Sequence, residues 1–498
     1  MKHIFKNEKK HGIQFEAQKK NSFFGKLLQK AGNVEVDRSR VVFSVLGFVF
    51  FLELCMTFYN SGTVSGVSAA ADQYKQEAIT DYNARTIAAG TIYDCNGTAL
   101  VTTGANQWSQ YIDPYAYTQI LGYIKPISSG SGSYRLMSFL KDELYETSSA
   151  KSTQGSSFYL TLDNELQLQA YNLLVNTIGA GEIGSVVVMD AKTGAIRAFV
   201  SVPSFDANNL PESIQNVQNS NDSKINPGSI MSYPVAYKNR LVPGSIFKIV
   251  TSVALLENGL EDFTVLDNSF SVGDGKIVNH YSDTNMTIGY DTAVLKSSNV
   301  YFSSAALKMK EQGSAEALND VAKRFMLGET LELDFGNVES NWDLDLKDDH
   351  GYAMTAFGQG KTLITTLNAA MIAQAIANDG QMMEPYMIQS KTDSDGRTVY
   401  EGKSSVLSEV TTEGICSRIT EAMVPVGNSL GMSNVAAKTG TGQIGDANNM
   451  FNAWLMTFAP ADDPQYVVVV NHCVTKQYGS SLAGVVSELY DILLKDGQ

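Results

Sequence analysis

Three short stretches of the chain put hydroxyls, amines and an amide where they can act together. The first is LVPGSIFKIVT, residues 241–251, in which Ser245 and Lys248 stand three apart. Their neighbours Ile246, Phe247, Ile249 and Val250 are apolar. Pro243-Gly244 breaks the chain, so Ser245 is expected to open a helix with Lys248 one turn along on the same face. Burial in such company penalises an ammonium and lowers its pKa. A neutral lysine touching a serine hydroxyl can take its proton, which is the chemistry of an activated nucleophile. From this stretch alone a second reading stays open: a serine that caps a helix, followed by a lysine that snorkels to water.

The spacing by itself selects nothing, because Ser138 to Lys141 and Ser148 to Lys151 repeat it. The first of these lies in a charged amphipathic segment and the second in the polar run TSSAKSTQGSS, residues 147–157. Neither has apolar neighbours to desolvate the lysine, so both read as surface residues. Two further stretches single out the third pair. LKSSNVYF offers Ser297-Ser298-Asn299 inside an expected helix, and AAKTGTGQ offers Lys438, Thr439, Gly440 and Thr441 on an expected strand. Ser-x-x-Lys, Ser-Asp-Asn and Lys-Thr-Gly, in that order, are the three-part signature of penicillin-binding proteins and class A β-lactamases. Here the middle part carries Ser298 in place of aspartate. Two look-alikes are set aside. Lys192-Thr193-Gly194 precedes the serine and reads as a hairpin turn, and TAFGQGKT, residues 355–362, begins with threonine where a phosphate loop needs its first glycine.

These motifs must be carried by a chain of 498 residues, enough for roughly two to four domains. The net charge of −15 argues against nucleic acid as the main partner, since phosphate binding needs clustered cations. The charge is unevenly spread. Residues 1–40 hold ten Lys/Arg against four acids, and VVFSVLGFVFFLELCMTFY, residues 41–59, follows with Glu53 as its one charge. That length spans a bilayer, and the basic flank keeps the N-terminus cytoplasmic. A cleaved leader ending at SAAAD, residues 68–72, is disfavoured by the length of both segments. Cys95, Cys416 and Cys473 are scattered, so a disulfide framework is not expected, and the five histidines show no metal-ligand spacing.

Beyond the apolar segment, residues 60–155 read as a small mixed region and residues 156–498 as a larger domain. GTIYDCNGTALVTT, residues 90–103, predicts a hairpin about Asn-Gly, and residues 134–146 predict a short amphipathic helix. TLDNELQLQAYNLLVNTI predicts a helix with Asp163 as its cap. Residues 184–202 predict an antiparallel hairpin, residues 206–229 a polar loop, and about Asp291 to Lys310 a single helix. AAKTGTGQ, FNAWLMTFAP and YVVVVNHCV predict three strands, and LAGVVSELYDILLK a last helix. The fold class expected is α+β, an antiparallel sheet flanked by helices.

The chain resembles the class B penicillin-binding proteins, the monofunctional peptidoglycan D,D-transpeptidases. The likeness extends past the three motifs to GSVVVMDAKTGAIRAFVSVPSFD, GQGKTLITTLNAAMIAQAIANDG and AWLMTFAPADDPQYVVVV, in family order, and covers roughly residues 85–498. RTIAAGTIYDCNG resembles the opening of the family's pedestal, with Cys95 where arginine is usual. The resemblance implies a penicillin-binding fold with a small N-terminal pedestal and a single membrane anchor. It implies that Ser245 attacks the penultimate D-Ala carbonyl of a stem peptide and that Lys248 is the general base. It implies Ser297 as proton relay to the leaving D-Ala, Asn299 as holder of substrate amide and lysine, and Lys438, Thr439, Gly440 and Thr441 as the carboxylate site. Backbone N–H groups of Ser245 and Thr441 form the implied oxyanion hole. No cofactor or metal is implied. β-Lactams are the implied inhibitors, and a membrane glycosyltransferase of the rod-shape or division type the implied partner. Two alternatives stand beside this: a D,D-carboxypeptidase or β-lactamase that uses water, for which Glu316 to Asn319 is a poor match to the Glu-x-x-Leu-Asn motif of class A enzymes, and a catalytically silent scaffold or β-lactam sensor.

Overall fold

A computed structural model of the chain describes residues 87–103, 109–125, 132–209, 234–445 and 449–495. The apolar segment 41–59, the basic segment before it and most of the 206–229 loop lie outside the described residues. Among the described residues no helix is long and apolar enough to cross a membrane. Residues 80–498 make one compact unit.

The organising element is a five-stranded antiparallel sheet. Its strands are β5 (Gly184–Asp190), β6 (Ile196–Val202), β9 (Ala436–Gln443), β10 (Phe451–Ala459) and β11 (Tyr466–Thr475), in the spatial order β9-β10-β11-β5-β6. The valine runs of β5 and β11 are buried along almost their whole length, which requires cover on both faces. Helices α2 (Asn164–Ile178) and α8 (Ala483–Leu493) cover one face, and α6 (Thr366–Ala377) the other. Every residue of α6 is buried, and Thr365 with Asn368 close its N-terminus in a reciprocal capping box. Asp163 accepts the Leu166 N–H at 3.0 Å, as its position before α2 predicts. The edge strand β9 packs along α7 (Glu413–Ser429), and α3 (Lys248–Glu257) lies against the same helix.

A second, six-stranded sheet gathers strands from three distant parts of the chain. These are β1 (Ile92–Tyr93), β2 (Ala99–Thr103), β3 (Ser109–Tyr111), β4 (Ser157–Leu160), β7 (Ile388–Thr392) and β8 (Thr398–Glu401), in the order β8-β7-β4-β1-β2-β3. The hairpin expected at residues 90–103 is β1 and β2, with Gly97 in the left-handed region at φ 85°. The sheet crosses residue 155 through the parallel pairing of β1 with β4.

Three expectations need correction. The helix expected over residues 134–146 is two short turns, Leu136–Phe139 and Lys141–Leu144, meeting at Leu140. Ser245 does not open the α-helix: it sits in a 3₁₀ turn, Gly244–Phe247, and α3 starts at Lys248. The single helix expected from Asp291 to Lys310 is two, α4 (Tyr290–Lys296) and α5 (Asn299–Glu311). Ser297 takes a left-handed conformation, φ 56° and ψ 43°, that no helix can continue. Ser298 is extended and caps α5 by accepting the Tyr301 N–H at 3.0 Å.

Candidate active site

The nucleophile turn is fixed by backbone before any side chain acts. Leu241 pairs with Ile364, Trp454 Nε1 donates to the Val242 carbonyl at 3.0 Å, and the Gly244 N–H donates to the Gly358 carbonyl at 2.9 Å. Gly244, at φ 55°, lies so close to β9 that a Cβ there would stand 2.6 Å from the Thr441 carbonyl. From the other side, a Cβ on Gly440 would meet the Pro243 carbonyl oxygen at 2.9 Å. Two glycines, one in each segment, therefore let the turn carrying Ser245 rest directly on the edge strand.

Burial of the apolar run dictates what happens to Lys248. Ile246, Phe247, Ile249 and Val250 are all buried, and Lys248 itself has no exposed surface. Its Nζ lies over the rings of Phe302 and Phe357, at 5.6 and 5.9 Å from the centroids. Desolvation first, then the charge of Lys438, push its pKa well below the ordinary lysine value; Asp267 pulls in the opposite sense. The snorkelling alternative is thereby excluded for this lysine.

The contacts of that nitrogen define its role. It lies 2.6 Å from the Ser297 carbonyl and 2.9 Å from Asn299 Oδ1, both of which can only accept. It lies 2.9 Å from Ser245 Oγ, which can donate, with Ser297 Oγ at 3.2 Å. A neutral amine satisfies this set: two N–H groups go to the carbonyl oxygens, and the lone pair is left for the Ser245 hydroxyl proton. The Asn299 amide is oriented independently, because its Nδ2 donates to the Val278 carbonyl at 2.9 Å. The left-handed turn at Ser297 supplies both its carbonyl and its hydroxyl to the site, a strained backbone placed where it has a use.

Lys438 reaches the same cluster from β9. It is fully buried, and desolvation lowers its pKa to about 7. Its Nζ donates to Ser297 Oγ at 2.8 Å and to the Thr439 carbonyl at 3.0 Å. Ser297 Oγ is thus the hydroxyl shared by two buried lysines. The structure joins Ser245, Lys248, Ser297, Asn299 and Lys438 in one hydrogen-bonded cluster. Thr441 lines the adjoining cleft of about 140 Å³, together with Ser245, Asn279, Phe357 and Gln359. Thr439 supplies a carbonyl to the cluster but does not line that cleft, and Gly440 supplies the close approach.

Sequence reading missed several of these residues. Asn279 comes from a loop without a motif signal, while Phe357 and Gln359 belong to the TAFGQGKT stretch, dismissed as a phosphate loop, whose Gly358 forms the wall behind Gly244. The other Ser-x-x-Lys pairs lie elsewhere, with Ser148 and Lys151 exposed. Glu316 is absent from the cleft, its Oε2 accepting Asn319 Nδ2 at 2.7 Å. Cys416 and Cys473 are buried free thiols, and Cys95 is a half-buried one.

A hydroxyl facing a buried amine, beside a second buried cation and on the edge of an antiparallel sheet, defines a serine acyl-transfer site. The sequence profile of the penicillin binding protein transpeptidase domain matches residues 184–490, and the chain belongs to that family. It is 25% identical over 386 residues to the peptidoglycan D,D-transpeptidase PbpA of Mycolicibacterium smegmatis, covering 72% of this chain and 78% of that protein. It is 28% identical over 373 residues to penicillin-binding protein PbpB of the same species, covering 68% and 55% respectively. The fold is that of penicillin-binding protein A from Mycobacterium tuberculosis in its penicillin G acyl-enzyme complex, with a TM-score of 0.72 at 22% identity over 82% of this chain and all of that one.

Proposed function

We propose that the chain is a peptidoglycan D,D-transpeptidase, acylated at Ser245 by the D-Ala-D-Ala end of a stem peptide and inhibited covalently by β-lactams. The observation that carries this reading is the Lys248 nitrogen, held 2.9 Å from Ser245 Oγ with two carbonyl oxygens taking its hydrogens. Lys248 takes the Ser245 proton as the oxygen attacks the penultimate D-Ala carbonyl carbon. Collapse of the tetrahedral adduct breaks the peptide C–N bond. The departing D-Ala amine receives its proton through Ser297 Oγ, which bonds both lysines. Lys438, with the Thr439 and Thr441 segment, binds the terminal carboxylate as a cation beside hydroxyls. Asn299 holds Lys248 and the substrate amide, and the backbone N–H groups of Ser245 and Thr441 stabilise the oxyanion. An amine of a second stem peptide then attacks the acyl-enzyme, forming the crosslink and freeing Ser245.

Residues 41–59 act as a single membrane anchor with residues 1–40 in the cytoplasm, residues 60–155 as a pedestal, and residues 156–498 as the extracytoplasmic transpeptidase. The apolar length and basic flank support this topology. A membrane glycosyltransferase is the proposed partner, met through the anchor, where Glu53 is an intramembrane acid of the kind that marks contacts.

The test is intact mass of the full-length protein in detergent after benzylpenicillin, beside Ser245→Ala. A stable single adduct that the variant lacks is expected. Absence of any adduct in the active, correctly folded protein overturns the reading. Supplying a stem-peptide donor with an amine acceptor then separates crosslinking from hydrolysis: predominant hydrolysis would assign a carboxypeptidase instead.

A further inference from the structure

The frame behind the nucleophile ends on a carboxylate that none of the three motifs contains. Asp267 follows the short strand Val265–Leu266 and is fully buried. Its Oδ1 accepts Ser298 Oγ at 2.6 Å and Asn279 Nδ2 at 2.8 Å, and its Oδ2 accepts the Tyr281 hydroxyl at 2.9 Å. Ser298 and Asn279 both hold the backbone on which the catalytic groups sit. Ser298 lies between Ser297 and Asn299 and caps α5. Asn279 Oδ1 accepts the Asn299 N–H at 2.7 Å and the Val300 N–H at 3.2 Å. Asp267 is therefore two contacts away from the carbonyl and amide oxygens that orient Lys248.

Charge points the same way as geometry. Lys248 and Lys438 are both fully buried, and two buried ammoniums need compensation. Asp267 is the buried carboxylate that acts on Lys248 and favours its protonated form. One carboxylate balances one ammonium, not two. The other titratable or charged groups near this assembly are more exposed. His280 lines the cleft and feels the charge of Lys248. Lys296 lies over the Tyr281 ring at 6.0 Å, and Asp283 is engaged by Ser269.

We propose that Asp267 is a positioning residue: through Ser298 and Asn279 it aims Asn299 at Lys248, and it is the buried counter-ion on the Lys248 side of the cluster. The roles of Ser245 and Lys248 in this proposal rest on the transpeptidase reading above.

Two substitutions separate charge from scaffold. Asp267→Asn keeps the oxygen that Ser298 and Asn279 donate to, and offers an N–H to Tyr281, whose hydroxyl can accept; only the charge is lost. Asp267→Ala removes charge and contacts together. The benzylpenicillin acylation rate of the full-length protein is followed against pH for each, and repeated with His280→Gln to exclude titration of the imidazole. Losing the anion makes Lys248 release its proton more readily. In Asp267→Asn the acidic limb of the profile moves to lower pH by about one pH unit, the order that a neighbouring opposite charge contributes, with the maximum kept within a few-fold. In Asp267→Ala the same displacement comes with a maximum lower by about 100-fold, as misplaced catalytic groups cause. An acidic limb that stays in place in Asp267→Asn overturns the proposal, whatever happens to the maximum. Titration of isotope-labelled lysine side chains by NMR reads the protonation of Lys248 without any acylation. If wild-type protein is not acylated at all, the transpeptidase reading has failed, and the lysine titration still decides the role of Asp267.

Discussion

The chain contains the tripeptide Lys-Thr-Gly twice, and the two copies behave differently. Lys192-Thr193-Gly194 turns β5 into β6. The Lys192 and Thr193 N–H groups both donate to Asp190 Oδ1, at 3.0 and 2.8 Å, and Gly194 takes φ 78°. The Lys192 side chain is exposed. Lys438-Thr439-Gly440 instead lies within β9, an edge strand with the Ser245 turn against it, and its lysine is fully buried. The same three residues thus make a hairpin turn in one place and a cation site in the other. What separates them is desolvation and the neighbour across the strand edge, not the tripeptide.

The widest gap between the copies is expected in catalysis. Lys438→Ala should lower benzylpenicillin acylation by about 10²–10⁴-fold, the range for a positioned proton-transfer or charge-stabilising group, while Lys192→Ala leaves the rate at wild type. Equal losses in stopped-flow acylation would erase the distinction.

Titration sharpens it further. In the proposed mechanism, acylation needs Lys248 neutral and Lys438 charged. The rate for a carboxylate-bearing donor therefore rises with pH as Lys248 gives up its proton. It falls again as pH passes through about 7, where Lys438 loses its own. The decline approaches about tenfold per pH unit, as expected when a single protonated group is required. Lys438→Arg should flatten this basic limb, because guanidinium stays charged, and Lys192→Ala should leave it unmoved. A basic limb in Lys438→Arg that matches wild type would assign the titration to another group.

The two glycines give the smaller effects. A Cβ on Gly440 meets the Pro243 carbonyl and Ile246, so Gly440→Ala should displace the nucleophile turn and reduce acylation per folded molecule, with a stability loss of about 1–3 kcal/mol. A Cβ on Gly194 meets the Glu384 carbonyl at 2.7 Å in a left-handed backbone. Gly194→Ala should therefore cost about 1–2 kcal/mol of stability and leave acylation per folded molecule intact. Thermal melts beside active-site titration check both halves.

The residues that could be read from sequence carry their context with them. Ser245 and Lys248 sit inside their own apolar run, and the strands at 184–202 and 436–475 declare themselves by long apolar stretches between turn signals. The break at Ser297 was hidden, because helical periodicity runs through it and a serine, unlike a glycine, gives no warning of a left-handed backbone. Asp267 was hidden for another reason. It is 31 residues from Ser298 in the chain, and only the folded loop brings the two together. The six-stranded sheet was equally illegible. Alternation can show that residues 92–93, 157–160 and 388–392 are extended, but it cannot choose their partners.

Lys438 has one more consequence. Fully buried and with its pKa lowered to about 7, it is partly unprotonated in neutral solution. A carboxylate settling beside it stabilises the ammonium and draws a hydrogen ion from the medium. Capture of an acidic donor above neutral pH is then a three-body event, in which the hydrogen ion is a co-ligand. Calorimetry in buffers of different ionisation heat reads that uptake, and identical heats would rule it out. Through this linkage, if Lys438 holds the donor carboxylate as proposed, the acidity of the surroundings sets how tightly the site holds its substrate.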